Sequence, residues 1–367
     1  MNHLIEEQHQ LKELEPLFEQ LSEQSGHISV DTEFLREKTY SAKLCLVQLG
    51  IGDDQYCIDV LAIEDLTTLA NLFTDQRVLK ILHAARQDME VLYQTFGVMP
   101  KPIFDTQLAA AFCGMDMQLG YAALVNERLG VELEKSQART DWTRRPLSDK
   151  QITYAADDVV YLEHLYLTGL GDLIEQGKLA SFEEEIDNYY DVDKYVIDPK
   201  IAYQRLFGGG LKITQQYALK ALAEWRERIA QKRNIPRTWV LKDDRLFELA
   251  TQLPTTEEKI IELNIFGKKS VKHMAPAVLE IISNIEPEDK LIWNRVEPLD
   301  KQDKNQCKQL MKELAKIAQQ HEISQGLLAT RKDIESLYRN KKSTKLLNTW
   351  RKSVVGQHLL DLIEEQV

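Results

Sequence analysis

An α/β domain with a mixed sheet, followed by all-helical modules, is what this 367-residue chain predicts. Three observations lead there. Short β-rich segments crowd the first hundred residues and alternate with helical patterns, as expected of strands and helices layered in one domain. From about Tyr203 onward no strand-like run is visible, and Pro236, Pro254, Pro276, Pro287 and Pro298 cut a helical pattern into short pieces. Charge divides the same way. Residues 1–200 carry 17 basic and 36 acidic side chains, net −19, whereas residues 201–367 carry 29 and 22, net +7. The stretch 186–204, rich in Asp, Tyr and Pro, reads as a linker. The expected boundaries are 1–185, the linker 186–204, a helical module over 205–288 and a second over 289–367.

His27–Phe34 (HISVDTEF) reads as a strand entering a functional turn. Lys43–Gly50 and Gln55–Val60 are β-rich and flank Gly52-Asp53-Asp54, which predicts a hairpin. Val78–Leu82 predicts a further strand and Gln87–Phe96 a helix. After Asp105 the pattern turns helical and stays so. Ser148 and Gln151 form a capping box with Asp149 in the first turn, and Leu147 and Ile152 are placed as its hydrophobic staple. In Thr214–Lys232 the positions Tyr217, Leu219, Leu222, Trp225 and Ile229 recur near helical period. Gly208-Gly209-Gly210 precedes no Lys-Ser/Thr pair, so it reads as a hinge rather than a phosphate loop.

Composition narrows the function classes. Cys45, Cys57, Cys113 and Cys307 are scattered with no C-x-x-C pair, against a zinc ribbon, a redox dithiol or a disulfide framework. There is no H-E-x-x-H zinc motif. The acidic start, Met1 to Glu7, lacks the basic and apolar regions of a signal peptide, and no apolar run reaches membrane-spanning length. The expected location is the cytoplasm. An overall charge of −12 argues against a nucleic-acid binder only if it is spread evenly, and it is not.

Three features carry candidate chemistry. In a strand, residues i and i+2 share a face, so Asp31 and Glu33 project together while Thr32 faces away. Two carboxylates so close repel unless a cation lies between them, and Mg²⁺ favours hard oxygen ligands. The commoner reading of such a pair is a solvated turn. D-x-E also occurs at Asp88 and Asp333, but on predicted helices, where i and i+2 diverge. Tyr154 and Asp158, at i and i+4 on the capped helix, share a face and could flank one water. The same spacing at Tyr189–Asp193 shows that it is weak alone. Asp88 falls in the first turn of its helix, where the helix dipole by itself favours an acid.

In order, the set is D-x-E, Asp and Y-x-x-x-D, and in this order it resembles the DEDD superfamily of 3′→5′ exonucleases in its tyrosine-bearing branch. The resemblance narrows to the bacterial ribonuclease D family over nearly the whole chain. It rests on VDTEF (30–34), LHAARQDMEVL (82–92), FDTQLAAAFCG (104–114) and, most specifically, RTDWTRRPLSDKQITYAADDVVYL (139–162). Thr153 stands where the histidine-bearing branch has His. The stretch WRERIAQKRNIPRTWVLKD (225–243) is similar to the HRDC domain.

The resemblance implies a ribonuclease H-like exonuclease domain over 1–185, an HRDC domain over 205–288 and a diverged HRDC-like module over 289–367. It implies Asp31, Glu33, Asp88, Tyr154 and Asp158 as catalytic residues, the four acids holding divalent cations. Two Mg²⁺ are expected, with Mn²⁺ as the alternative, roughly 4 Å apart on the scissile phosphate. No organic cofactor is expected. It implies hydrolysis of RNA from the 3′ end to nucleoside 5′-monophosphates, with tRNA precursors and other structured RNAs as substrates. The alternatives are a DNA 3′→5′ exonuclease and a catalytically silent nucleic-acid-binding module.

The basic half fits a polyanionic partner. Arg205, Lys212, Lys220, Arg226, Arg228, Lys232, Arg233 and Arg237 form one group, and Lys341, Lys342, Lys345, Arg351 and Lys352 a second. Both are expected to face phosphates. Of Trp225, Trp239, Trp293 and Trp350, at least three are expected in helix-packing cores rather than stacked on bases.

Overall fold

The computed structural model describes residues 1–133 and 140–365. Arg139, the first residue of the 139–162 block, lies outside the described residues. Two compact units result. One comprises Met1–Leu35, Lys43–Tyr195 and Leu299–Val367, the other Arg36–Ala42 and Val196–Pro298.

The first unit is built on a six-stranded sheet: β1 (Asn2–Ile5), β2 (His27–Leu35), β3 (Lys43–Ile51), β4 (Asp54–Ile58), β5 (Leu79–Leu82) and β6 (Ile103–Asp105), in the order β1-β4-β3-β2-β5-β6. The sheet is mixed, as expected. β3 pairs antiparallel with β2 and β4, while β1/β4, β2/β5 and β5/β6 are parallel. β3 is buried from Leu44 to Leu49, the unbroken burial of a strand covered on both faces. Sequence patterning misses β1 and β6. Both are short and gain their strand character only from distant partners, β4 and β5.

Around the sheet lie α1 (Gln8–Glu13), α2 (Glu15–Glu23), α3 (Thr67–Thr74), α4 (Arg86–Phe96), α5 (Thr106–Phe112), α6 (Tyr121–Leu129), α7 (Asp149–Val160), α8 (Leu162–Glu175) and α9 (Leu179–Asp187). α7 begins at the expected capping box, with Gln151 N donating to Ser148 Oγ at 3.4 Å and Ser148 N to Gln151 Oε1 at 3.1 Å. Its buried residues Ala155, Ala156 and Val159 are small or β-branched, so the helix lies close on the sheet. A Cβ on Gly50 would stand 3.2 Å from the Val159 carbonyl, which is why β3 carries glycine there. Asp59, fully buried after β4, pairs with the Arg145 guanidinium just before α7, with Nη2 at 2.6 Å from Oδ1.

In the second unit, α10 (Ile213–Arg233) is followed by α11 (Arg237–Val240), α12 (Asp243–Gln252), α13 (Glu257–Glu262) and α14 (Lys268–Ser283). One apolar core, including Leu219, Leu222, Leu246, Leu249 and Val278, joins them. The glycine triplet has a packing reason rather than a hinge role at two positions. A Cβ on Gly208 would lie 2.8 Å from the Trp293 ring, and one on Gly209 would lie 2.7 Å from the Asn294 carbonyl.

The C-terminal helices, counted with the sheet, are α15 (Lys301–Gln320), α16 (Gln325–Leu328), α17 (Arg331–Asn340), α18 (Thr344–Leu347) and α19 (Gln357–Glu364). Trp350 packs at a tilt on Phe112 of α5, ring centroids 4.9 Å apart, and buried Arg351 donates to Glu185 of α9 at 2.7 Å. Lengths of 20, 4 and 10 residues in α15–α17 parallel 21, 4 and 10 in α10–α12. The left-handed residues that end these segments, Asn234 and Leu253, recur 88 positions later as Glu322 and Lys341. Among the described residues no helix is long and apolar enough to cross a membrane.

Candidate active site

Asp31 and Glu33 project from β2 on the face covered by α7. A register shift between Glu33 and Phe34 breaks the regular pairing with β3 directly after them, a device that re-aims side chains at strand ends. Asp158 comes from α7. Ligand oxygens of Asp31, Glu33 and Asp158 lie within 4.8 Å of one another, and all three side chains are only partly exposed. Tyr154, one turn earlier, donates its hydroxyl to Asp158, so the i, i+4 pair meets as the spacing predicts. Asp88 enters in the first turn of α4, 7% exposed. Thr32, pointing away from Asp31 and Glu33, donates its hydroxyl to Asp88 and ties α4 to the strand. The structure thus brings Asp31, Glu33 and Asp158 into one cluster beside Tyr154, with Asp88 outside that cluster but close enough for its charge to act on Asp31 and Glu33.

The electrostatics show what the pocket lacks. Burial, then the charges of Asp88, Asp158 and Glu33, hold the Asp31 carboxyl well above the usual carboxylate range. Burial followed by Asp158 and Asp88 pushes Glu33 up to about 9. Burial raises Asp88 and Asp158 to about 7 each. Acids in this state are short of positive charge. The donor set is hard oxygen, which suits Mg²⁺ or Mn²⁺ and not a soft metal. Burial and the neighbouring carboxylates push the Tyr154 phenol above its usual value, so it stays protonated.

Three nearby residues escaped sequence reasoning. Tyr121 on α6 donates its hydroxyl to the Asp157 carbonyl at 3.1 Å and accepts from Tyr161 N at 3.1 Å, bracing the end of α7. Trp142 is buried with its ring 6.3 Å from that of Tyr154. Gln48 lies directly across from Asp31 on β3. None carries a spacing signal, because each reaches the site through tertiary contact.

The basic groups are less uniform than charge counting implies. Arg226 is buried, bonding the Leu241 carbonyl and Asp243, and Arg351 is buried on Glu185. Both are internal anchors rather than phosphate contacts. Arg205, Lys212, Arg228, Lys232 and Arg233 are exposed. Trp225 and Trp293 pack on the helical core and Trp350 is buried, whereas Trp239 is 60% exposed.

A six-stranded mixed sheet gathering four acids and a tyrosine from β2, α4 and α7 defines a 3′→5′ exonuclease, and the 3′-5′ exonuclease family matches residues 5–168. The HRDC domain matches residues 215–282. Ribonuclease D of Granulibacter bethesdensis is 35% identical over 92% of this chain and 87% of its own length. Ribonuclease D of Zymomonas mobilis is 34% identical over 92% and 88%. The crystal structure of Escherichia coli RNase D, described as an exoribonuclease involved in structured RNA processing, superposes with a TM-score of 0.87 at 30% identity, covering 100% of this chain and 99% of that one. The chain belongs to the ribonuclease D family and is a 3′→5′ exoribonuclease.

Proposed function

We propose that this exoribonuclease trims the 3′ ends of structured RNAs such as tRNA precursors, releasing nucleoside 5′-monophosphates. Asp31, Glu33 and Asp158, with Asp88 behind them, would hold two divalent cations, Mg²⁺ or Mn²⁺. Bound there, the cations would lower the pKa of a water and offset charge on the scissile phosphate. The observation that carries the reading is the convergence of three carboxylates within 4.8 Å, with the Tyr154 hydroxyl bonded to one of them. Tyr154 orients the attacking water. Protonated at neutral pH, it is no base. Asp158 receives the Tyr154 hydrogen bond and so fixes that ring beside the pocket. Thr32 holds Asp88 in place from the opposite face of β2.

The helical regions supply RNA affinity. Exposed Arg205, Lys212, Lys232 and Arg233 make salt-dependent phosphate contacts, and exposed Trp239 offers a stacking surface for an unpaired base. We take 205–288 as the HRDC domain and the helices after residue 289 as a second, diverged one. The matched helix lengths and the 88-residue recurrence of left-handed helix ends support this. The four free cysteines suit a reducing cytoplasm.

The test is digestion of a structured RNA with a 3′ single-stranded tail, labelled at its 3′ or its 5′ end, with and without Mg²⁺. Expected are early release of the 3′ label as mononucleotide, progressive shortening of the 5′-labelled strand, and no reaction in EDTA. Endonucleolytic fragments, or undiminished activity in EDTA, would overturn the reading. A matched DNA strand degraded as fast would show that the site does not select RNA through its 2′-OH.

A further inference from the structure

Two buried glutamines of this chain differ in their partners. Gln216, on α10 and 1% exposed, uses its whole amide: Nε2 donates to the Leu211 and Trp293 carbonyls, and Oε1 accepts from Ile292 N and Trp293 N, all between 2.9 and 3.1 Å. Gln48, on β3 and fully buried, uses none of it, for neither Nε2 nor Oε1 has a partner. Buried amides are nearly always bonded, so an orphan of this kind needs an explanation.

Register shows what stands beside it. Gln48 lies directly across from Asp31 on one side and from Cys57 on the other. Cross-strand partners share a face with Cβ atoms about 4.5–5.5 Å apart, so Cys57, Gln48 and Asp31 form a row. Helix α7 closes over this row. Cys57 Sγ donates to the Ile152 carbonyl at 3.8 Å, and one pleat along β3 the Val159 carbonyl crowds Gly50. The α7 residues buried between those points, Ala155 and Ala156, offer Gln48 no polar side chain. Cys57 is taken by Ile152. The polar side chain left in the row is Asp31, a member of the acidic cluster.

We propose that Gln48 is a positioning residue of the metal centre: with a cation bound, its amide N–H, unpartnered in the metal-free chain, would donate to the Asp31 carboxylate across the strand pair and fix which oxygen faces the cation. The inference rests on the reading of Asp31 as a metal ligand. Ligating carboxylates are commonly oriented by such a bond, and loss of the orienting group typically costs 10–100-fold in metal affinity. The site also explains why a full-length amide is kept in an apolar layer where leucine would pack.

The test replaces Gln48 in the full chain by leucine (Gln48→Leu) and, to match volume more closely, by methionine (Gln48→Met). Two quantities are read without RNA: the Mn²⁺ dissociation constant, and the Tm in EDTA. Expected are Mn²⁺ binding weaker by roughly 10–100-fold in both variants and a metal-free Tm unchanged or raised, because the bare amide is gone. Wild-type Mn²⁺ affinity in both variants would overturn the inference. So would a metal-free Tm that falls in step with affinity in both, since the amide would then only be packing. If the wild-type chain itself binds no Mn²⁺, the metal reading fails and this inference with it, an outcome distinct from variants that bind as well as wild type.

Discussion

Asp105 and Asp31 stand two strands apart in one sheet and show two ways to bury an acid. Asp105, ending β6 at 1% exposure, accepts from the backbone N–H groups of Ala84, Ala85, Gln107 and Leu108 and from the Tyr189 hydroxyl, at 2.9–3.3 Å. Its charge is met from within the protein, and it pins β6, the start of α4 and the start of α5 together. Asp31 faces three other carboxylates, and the one bond that favours its charged form, from a Thr32 backbone N–H, does not offset them. Both residues lie in blocks that resemble the family, so sequence alone does not separate anchor from ligand. Partner count does: the saturated acid holds the fold, and the unsaturated one is the acid we propose as a metal ligand.

Substitution should split the two roles most sharply. For Asp31→Asn, kcat/KM for RNA hydrolysis should fall by roughly 10²–10³-fold, the scale for removing an electrostatic group at a reacting centre. Its metal-free Tm should not fall, because a repelling charge has been removed. Near-wild-type Mg²⁺-dependent hydrolysis by this variant would end the comparison. Asp105→Ala should do the reverse. It strands buried N–H donors that each cost about 1–3 kcal/mol, so urea unfolding should show a loss of about 3 kcal/mol or more. Activity per folded molecule at 25 °C should fall far less than in Asp31→Asn, because Asp105 binds backbone N–H groups of the fold and is not in the acidic cluster. A collapse of kcat without loss of stability would make Asp105 a ligand instead.

Tyr154→Phe is the next step down. The ring and its contact with Trp142 remain, and only the bond to Asp158 goes. Loss of a group that orients the water should lower kcat about 10²-fold and leave KM nearly unchanged. Equal changes in both parameters would assign the hydroxyl to substrate binding.

How much of this was legible depends on how local each cause is. The period-2 face of Asp31 and Glu33, the Ser148–Gln151 cap that sets the phase of α7, and the i, i+4 placement of Tyr154 and Asp158 are all written within a few residues, and the structure reproduces each. What was hidden is nonlocal. β1 exists because β4 offers it an edge. Gly208 and Gly209 are glycines because Trp293 and Asn294 come close. Arg226 looks like a phosphate contact until Asp243 is seen beside it. The two helical segments share helix lengths and the positions of left-handed ends but few identities, so no repeat shows in the residues themselves.

The smallest expected effect concerns pH and carries the same contrast into thermodynamics. Unfolded, the pocket acids titrate near 4. Folded and free of metal, Asp88 and Asp158 are raised to about 7 and Glu33 to about 9, so the folded chain retains protons that the unfolded chain has released. Stability falls with rising pH wherever the folded state binds more protons. The pocket's contribution is therefore complete below about pH 4 and is lost progressively up to about pH 9. A cation competes for the same oxygens as the protons, so stabilisation by Mg²⁺ should grow across that window. The checks are Tm against pH in EDTA and in Mg²⁺, for the wild type and for Asp158→Asn, in which one of the repelling acids no longer titrates. The wild type should lose more Tm than the variant between pH 5 and pH 9 in EDTA, and Mg²⁺ should restore more of it at pH 8.5 than at pH 5.5. Parallel curves in EDTA would show that the acids are already compensated as Asp105 is, and the distinction between the two burials would fall.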